Sequence, residues 1–169
     1  MPSRPVSRGD LTPARLWSAF IASAARYADE AAGAAYTVWQ FGYGEEQGDR
    51  LLDCVLHGPK RATTGALWAY EHNEEPLPVA GTFSIVTDGR GTPRCIIRTS
   101  SVEVLPFDEV GERHAWDEGE GDRSLAYWRE GHWPYFVREM ETMGLTAVAG
   151  MPVVFERFDV VYAPEIGIA

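Results

Sequence analysis

From residue 12 the apolar positions recur at helical spacing. Leu16, Phe20, Ala24 and Tyr27 fall on one stripe behind Thr12 as N-cap and Pro13 at the first helical position, which predicts one amphipathic helix over 12–28. After an Ala/Gly-rich link at 31–35, Tyr36 to Phe41 is aromatic and β-branched and reads as a short strand or extended loop ending at Gly42-Tyr43-Gly44. Leu51, Leu52, Val55 and Leu56 share one face of a second helix over 45–57, stopped by Gly58-Pro59.

From Gly81 the period changes to two. Phe83 and Ile85 precede a turn at 88–91, Cys95 and Ile97 follow it, and Val102, Val104 and Phe107 continue the meander. Val153, Phe155, Phe158, Val160 and Tyr162 form a long closing strand with a kink expected near Arg157. Between these strands, Asp122 as N-cap, Pro134 as a first helical residue and Gly144 as a terminator predict two helical pieces, Ser124 to Glu130 and Pro134 to Met143, bent near Gly131. Short strands in this number, with flanking helices, predict an α+β fold built on a small closed barrel.

Composition narrows the function. At 169 residues the chain has the length of one domain, read as a flexible N-terminal tail over 1–11 and a single domain over 12–169. The opening MPSRPVSRGD has no apolar segment of the secretory kind, and no stretch is long enough to span a bilayer, so a cytoplasmic location is expected. Cys54 and Cys95 lie far apart outside any CxxC or CxxH pattern, which argues against zinc and for small buried apolar side chains. A net charge of −10 excludes a protein that coats nucleic acid through its whole surface. No DNA partner is expected, and any RNA contact has to be local.

Against fourteen arginines the chain has a single lysine, Lys60. An ammonium can change protonation on burial and act as an acid, base or nucleophile, which a guanidinium cannot. Lys60 follows the Gly58-Pro59 break beside Arg61, with the hydroxyls of Thr63 and Thr64 close behind, a turn suited to an anion or a carbonyl oxygen. The full GxxxxGK[ST] phosphate loop is absent. Glu118, Glu120 and Asp122 are separated by glycines, so that one carboxyl can work as an acid or base, or the three can offer oxygen ligands to Mg²⁺ or Mn²⁺. The structural alternative is that Asp122 only caps the following helix. His57, His72, His114 and His132 show no metal-binding spacing and read as structural or surface residues. Some of the many aromatics, Trp116, Tyr127 and Trp128 among them, are candidates for stacking on bases.

Gly58-x-Lys60-x-x-Thr63 resembles the GxKxxT signature of ASCH domains. The stretch from His114 through Glu118-Gly-Glu-Gly-Asp-Arg-Ser to Trp128, and the ending Val154 to Phe158, are similar to a bacterial branch of that family. The likeness spans about residues 36–163, leaving 12–35 as a helical extension. It implies a PUA-like β-barrel of about five to six mostly antiparallel strands and a cleft suited to RNA. By that resemblance Lys60, Thr63 and Glu118 are the catalytic residues, and Arg61, Thr64, Glu120, Arg123 and Ser124 are contacts for substrate. The implied activity is divalent-cation-assisted cleavage of single-stranded RNA. The alternatives are amide hydrolysis of a modified nucleoside of the N4-acetylcytidine type, and a non-catalytic RNA-binding module. Many members continue the signature to an arginine two residues after the threonine. Here Gly65 stands in that place, and Arg61 or Arg123 is the candidate substitute.

Overall fold

The computed structural model describes residues 11–168. The expected flexible tail lies outside the described residues except for Leu11, which packs against the first core cluster.

The described chain runs α1 (Pro13–Ile21), α2 (Ala28–Ala31), β1 (Tyr36–Trp39), α3 (Gly44–Leu56), β2 (Ala62–Ala66), α4 (Leu67–His72), β3 (Phe83–Thr87), β4 (Pro93–Pro106), α5 (Glu112–Glu118), α6 (Leu125–Thr142) and β5 (Pro152–Tyr162). This is the α+β class expected. The strands form one five-stranded sheet in the order β1-β3-β4-β5-β2. β3 pairs antiparallel with β4 and β2 with β5, while β1 adds to β3 in parallel.

The closed barrel is a correction. The order begins at β1 and ends at β2, so the sheet is open among the described residues. β1 is only four residues long, and β2 passes directly into α4 at Leu67.

The described chain divides into two compact units, the first comprising 11–57, 82–98 and 159–168, the second 58–81 and 99–158. In the first, Leu16, Trp17 and Phe20 of α1 pack on Phe83, Ile85 and Ile96. α1 ends sooner than its pattern suggests. The Ser23 hydroxyl donates to the Phe20 carbonyl at 2.6 Å, and Tyr27 takes a left-handed backbone (φ 72°), so the helix expected over 12–28 stops at Ile21 and a separate short helix, α2, follows from Ala28. The β3–β4 hairpin forms as expected, its turn held by Asp88 Oδ1 accepting from the Arg90 and Thr92 amides.

In the second unit α6 carries the inward stripe Trp128, His132, Phe136 and Met140, four residues apart each time. Phe136 and Met140 join Ala66, Phe107, Ala115 and Val153 in its core. The predicted bend near Gly131 is corrected: α6 is one helix of 18 residues, with Pro134 inside it on the solvent side. Glu130, whose carbonyl loses its amide partner, is exposed as well, while the buried stripe continues past both breakers. α6 is capped by the Ser124 hydroxyl, which accepts from the Tyr127 amide at 3.1 Å; Asp122, the expected cap, instead accepts from the Ser124 amide at 2.8 Å. α4 and α5, neither of them predicted, flank β2 in this unit.

Candidate active site

The Gly58-Pro59 break ends α3, and the chain enters β2 through Lys60. Alternation along β2 puts Lys60, Ala62, Thr64 and Ala66 on one face and Thr63 and Gly65 on the other. α5 covers the Lys60 face: the Arg61 amide donates to the Asp117 carbonyl at 3.0 Å, and the Arg157 guanidinium donates to the Asp117 carboxylate at 2.8 Å. α5 ends at Gly119, which is left-handed (φ 70°). A β-carbon there would lie 2.6 Å from the Pro59 carbonyl and 2.7 Å from the Lys60 nitrogen. Only glycine lets the end of α5 settle on this turn, and that contact delivers Glu118 to Lys60.

Lys60 and Glu118 are each 1% exposed. Lys60 Nζ lies 2.7 Å from Glu120 Oε1 and 3.6 Å from Glu118 Oε1. Glu118 Oε2 accepts from the Thr64 hydroxyl at 2.8 Å and from the Trp128 indole at 2.5 Å. Glu118 Oε1 meets His132 Nε2 at 2.9 Å, while the other ring nitrogen, Nδ1, sits 2.8 Å from the Trp128 carbonyl. A carbonyl cannot donate, so Nδ1 must. The remaining contact, between Nε2 and a carboxylate oxygen, then requires a proton of its own.

Glu118 and His132 together therefore hold one more proton than a neutral imidazole facing a free carboxylate would. The electrostatics assign it to the ring. Burial by itself pushes Glu118 up, but the charges of His132 and Lys60 and the hydrogen bonds from His132 and Trp128 outweigh it and bring the carboxyl down to about 2. Burial likewise opposes charge on His132, and Glu118 and Glu120 overcome it, raising the imidazole. The ring also stacks on Trp128 at 4.2 Å and 13°. Two cations and two carboxylates thus compensate one another, the condition under which charges are tolerated in an interior.

The remaining predicted residues divide. Thr63 is on the opposite face, paired in register with Glu156 of β5. Arg61 turns its guanidinium onto the carbonyls of Gly58 (3.3 Å) and Lys60 (2.6 Å), bracing the turn. Arg123 donates twice to the Trp116 carbonyl and lies 3.6 Å over that exposed indole ring, which stabilises the end of α5. Ser124 and Asp122 serve the start of α6. The ring of Tyr70 covers Gly65, 3.1 Å from the position of an added β-carbon.

His132 is the residue that sequence reasoning missed. Its signal was the spacing Trp128, His132, Phe136, Met140, hidden by the helix break expected at Gly131. His57 and His114 are structural or surface residues as read: His57 is exposed beside Asp53, and His114 bridges the Gly111 amide and Glu103.

A divalent cation has a donor set here, though not the predicted one. Glu118, Glu120 and His132 present ligand atoms within 4.8 Å of one another, whereas Asp122 is exposed and engaged at its helix. Two carboxylates and an imidazole suit Mn²⁺ better than Mg²⁺. Lys60 already sits against the same oxygens, so a metal would compete with the ammonium for both carboxylates.

Among the described residues no helix is long and apolar enough to cross a membrane. No curated protein matches the chain. Among solved structures, the ASCH domain from Lactobacillus crispatus JV V101 is similar at 33% identity and a TM-score of 0.79, covering 87% of this chain and 92% of that one. Protein EF3133 from Enterococcus faecalis V583 is similar at 40% identity and a TM-score of 0.69, covering 74% and 76%. The family model described as the ASCH domain matches residues 37–162, within the span the motifs suggested. The chain therefore belongs to the ASCH domain family, which is in general RNA-binding.

Proposed function

We propose that this ASCH domain is a cytoplasmic hydrolase that cleaves single-stranded RNA, with Lys60, Glu120 and His132 as the reacting groups and Glu118 as the residue that charges and orients His132. The proton forced onto the Glu118–His132 pair carries this reading, because it leaves a charged imidazole beside a lysine at the end of a helix cradle. Glu120 and His132 are the partly exposed members, and substrate reaches the centre through them. The ribose 2′-hydroxyl attacks the adjacent phosphorus as Glu120 takes its proton. The bond from phosphorus to the 5′-oxygen breaks as His132 Nε2 gives up its hydrogen bond to Glu118 and passes that proton to the leaving oxygen, so that a 2′,3′-cyclic phosphate forms while Lys60 offsets the charge on the phosphoryl oxygens. The attacking 2′-hydroxyl accounts for RNA over DNA. The Lys60 ammonium supplies the positive charge, so no step runs through a metal ion.

Cleavage of a single-stranded oligoribonucleotide tests this. Lys60→Ala and His132→Gln each lose on the order of 10²- to 10⁴-fold in rate. A 2′-deoxy residue at the cut position blocks the reaction, and a chelator leaves it intact. Wild-type rates in both variants would sink the proposal. One observation favours amide hydrolysis of an acylated nucleoside as a second reading: the Thr64 hydroxyl is held by Glu118 in the manner of an oriented nucleophile. Release of cytidine from N4-acetylcytidine, lost in Thr64→Val and with no RNA cleaved, would select it.

A further inference from the structure

Lys60 is 1% exposed, so no ligand reaches its ammonium while every neighbour keeps its place. The two carboxylates against it are held very differently. Glu118 lies deeper and accepts from three donors, the Thr64 hydroxyl, the Trp128 indole and the His132 ring, with its Oε1 3.6 Å from Lys60 Nζ. Glu120 is closer, at 2.7 Å, and partly exposed, and Lys60 is the one hydrogen-bond partner of its carboxylate among the described residues. Moving Glu118 breaks three hydrogen bonds besides the ion pair, whereas moving Glu120 breaks one. Glu120 is therefore the exchangeable neighbour of Lys60.

The backbone decides how it moves. Gly119 and Gly121 flank Glu120 and are both left-handed, at φ 70° and 54°. A β-carbon on the first would lie 2.6 Å from the Pro59 carbonyl, and one on the second 2.3 Å from the Tyr127 ring. The chain is seated at Cα on either side of residue 120, and the Arg123 amide closes the turn by donating to the Glu120 carbonyl at 2.9 Å. What is left is rotation of the side chain, which carries the carboxylate outward and leaves Lys60, Glu118 and His132 where they are.

Charge says what takes its place. With Glu120 in contact, two cations face two carboxylates. Once Glu120 has turned away, Lys60 and His132 face Glu118 alone, and one positive charge stands uncompensated in a buried place. A neutral ring does not offset that charge. An anion does, and a phosphoryl group brings oxygens that accept directly from the ammonium.

We propose that Glu120 is an internal stand-in for the substrate anion: it occupies the phosphoryl subsite of Lys60, and a phosphoryl oxygen of the bound strand displaces it. Displacement also frees a base. While the ammonium holds it, the Glu120 carboxylate is a poor proton acceptor; released beside the ribose, it is available to the 2′-hydroxyl. The inference rests on the phosphodiester reading above and adds that a ligand without an anionic group leaves the centre shut.

Calorimetric titration of the full chain with inorganic phosphate, in wild type, Glu120→Asp and Asp122→Asn, tests it. Aspartate keeps the charge but is one methylene short of Lys60 Nζ, and the seated backbone does not follow. Glu120→Asp therefore binds phosphate about tenfold or more tightly than wild type. Asp122→Asn removes an exposed charge that serves the start of α6 and does not touch Lys60, and it changes the affinity by less than about twofold. Lys60→Gln added to Glu120→Asp removes the gain, and cytidine gains nothing from Glu120→Asp. Equal phosphate affinity in wild type and Glu120→Asp, a gain from Asp122→Asn as large as that from Glu120→Asp, a gain for cytidine in place of phosphate, or no phosphate binding in any variant at millimolar concentration overturns the displacement. If phosphate follows the expected order and no RNA is cleaved, the subsite stands and the hydrolase reading falls. If RNA is cleaved and Glu120→Asp gains no phosphate affinity, hydrolysis stands and the displacement falls.

Discussion

The two faces of β2 carry two buried glutamates in opposite states. Glu118 and Glu156 are both nearly sealed from solvent and both accept from a threonine hydroxyl, at 2.8 Å and 2.5 Å. Glu118 is nevertheless held down to about 2, while burial raises Glu156 against the opposing Thr99 hydrogen bond. The difference lies in the company: Lys60 and His132 face Glu118, and the groups that act on Glu156 are its own burial and one hydroxyl. Burial alone therefore does not predict the state of a carboxyl; the nearest cations decide whether it is held ionised.

The largest effect that would break this comparison is on stability. Glu118→Gln leaves Lys60 and His132 buried with one carboxylate fewer and costs about 3 kcal/mol or more. Glu156→Gln, which removes a charge no cation offsets, changes stability by less than about 1 kcal/mol. Urea denaturation of both variants measures the contrast, and equal losses would refute it.

Acidity sharpens the same point. Glu118 has a folded value of about 2 against an ordinary 4.5, so its contribution, on the order of 3 kcal/mol, is complete above about pH 4.5 and is lost as the pH falls toward 2. His132 is raised, so its contribution is present at low pH and is lost as the pH climbs through the folded value. Glu156, also raised, stabilises in its protonated form and loses that contribution as the pH rises. Thermal melts from pH 2 to pH 9 should show the acid-side loss in wild type and in Glu156→Gln, and a much smaller one in Glu118→Gln.

Next in size is Gly119→Ala. The left-handed backbone and the contact with Pro59 together cost about 2 kcal/mol, and the displaced helix end uncouples Glu118 from Lys60. The His132 imidazole, followed by NMR, then titrates at a lower pH than in wild type. The smallest test separates neighbouring threonines. Thr64→Val removes a donor from a buried carboxylate and costs about 1–2 kcal/mol, whereas Thr63→Val costs less than about 0.5 kcal/mol.

The residues themselves determined a good deal. The Gly58-Pro59 stop and the period-two hairpin around 88–91 are local signals that the fold keeps. Lys60, Glu118 and Glu120 do converge. Tertiary structure decided the rest. Which threonine meets Glu118 depends on the face of β2 that α5 covers, and a shift of one residue in that register exchanges the two. α6 continues through Gly131 and Pro134 because its inward stripe is buried, an energy that propensity does not contain. The sheet is open, with β1 and β2 at its two ends, where strand count alone favoured a closed barrel. The proton on His132 is the clearest case: it exists because the Trp128 carbonyl one turn earlier on α6 and the carboxylates of Glu118 and Glu120, brought from a separate stretch of chain, act on one ring.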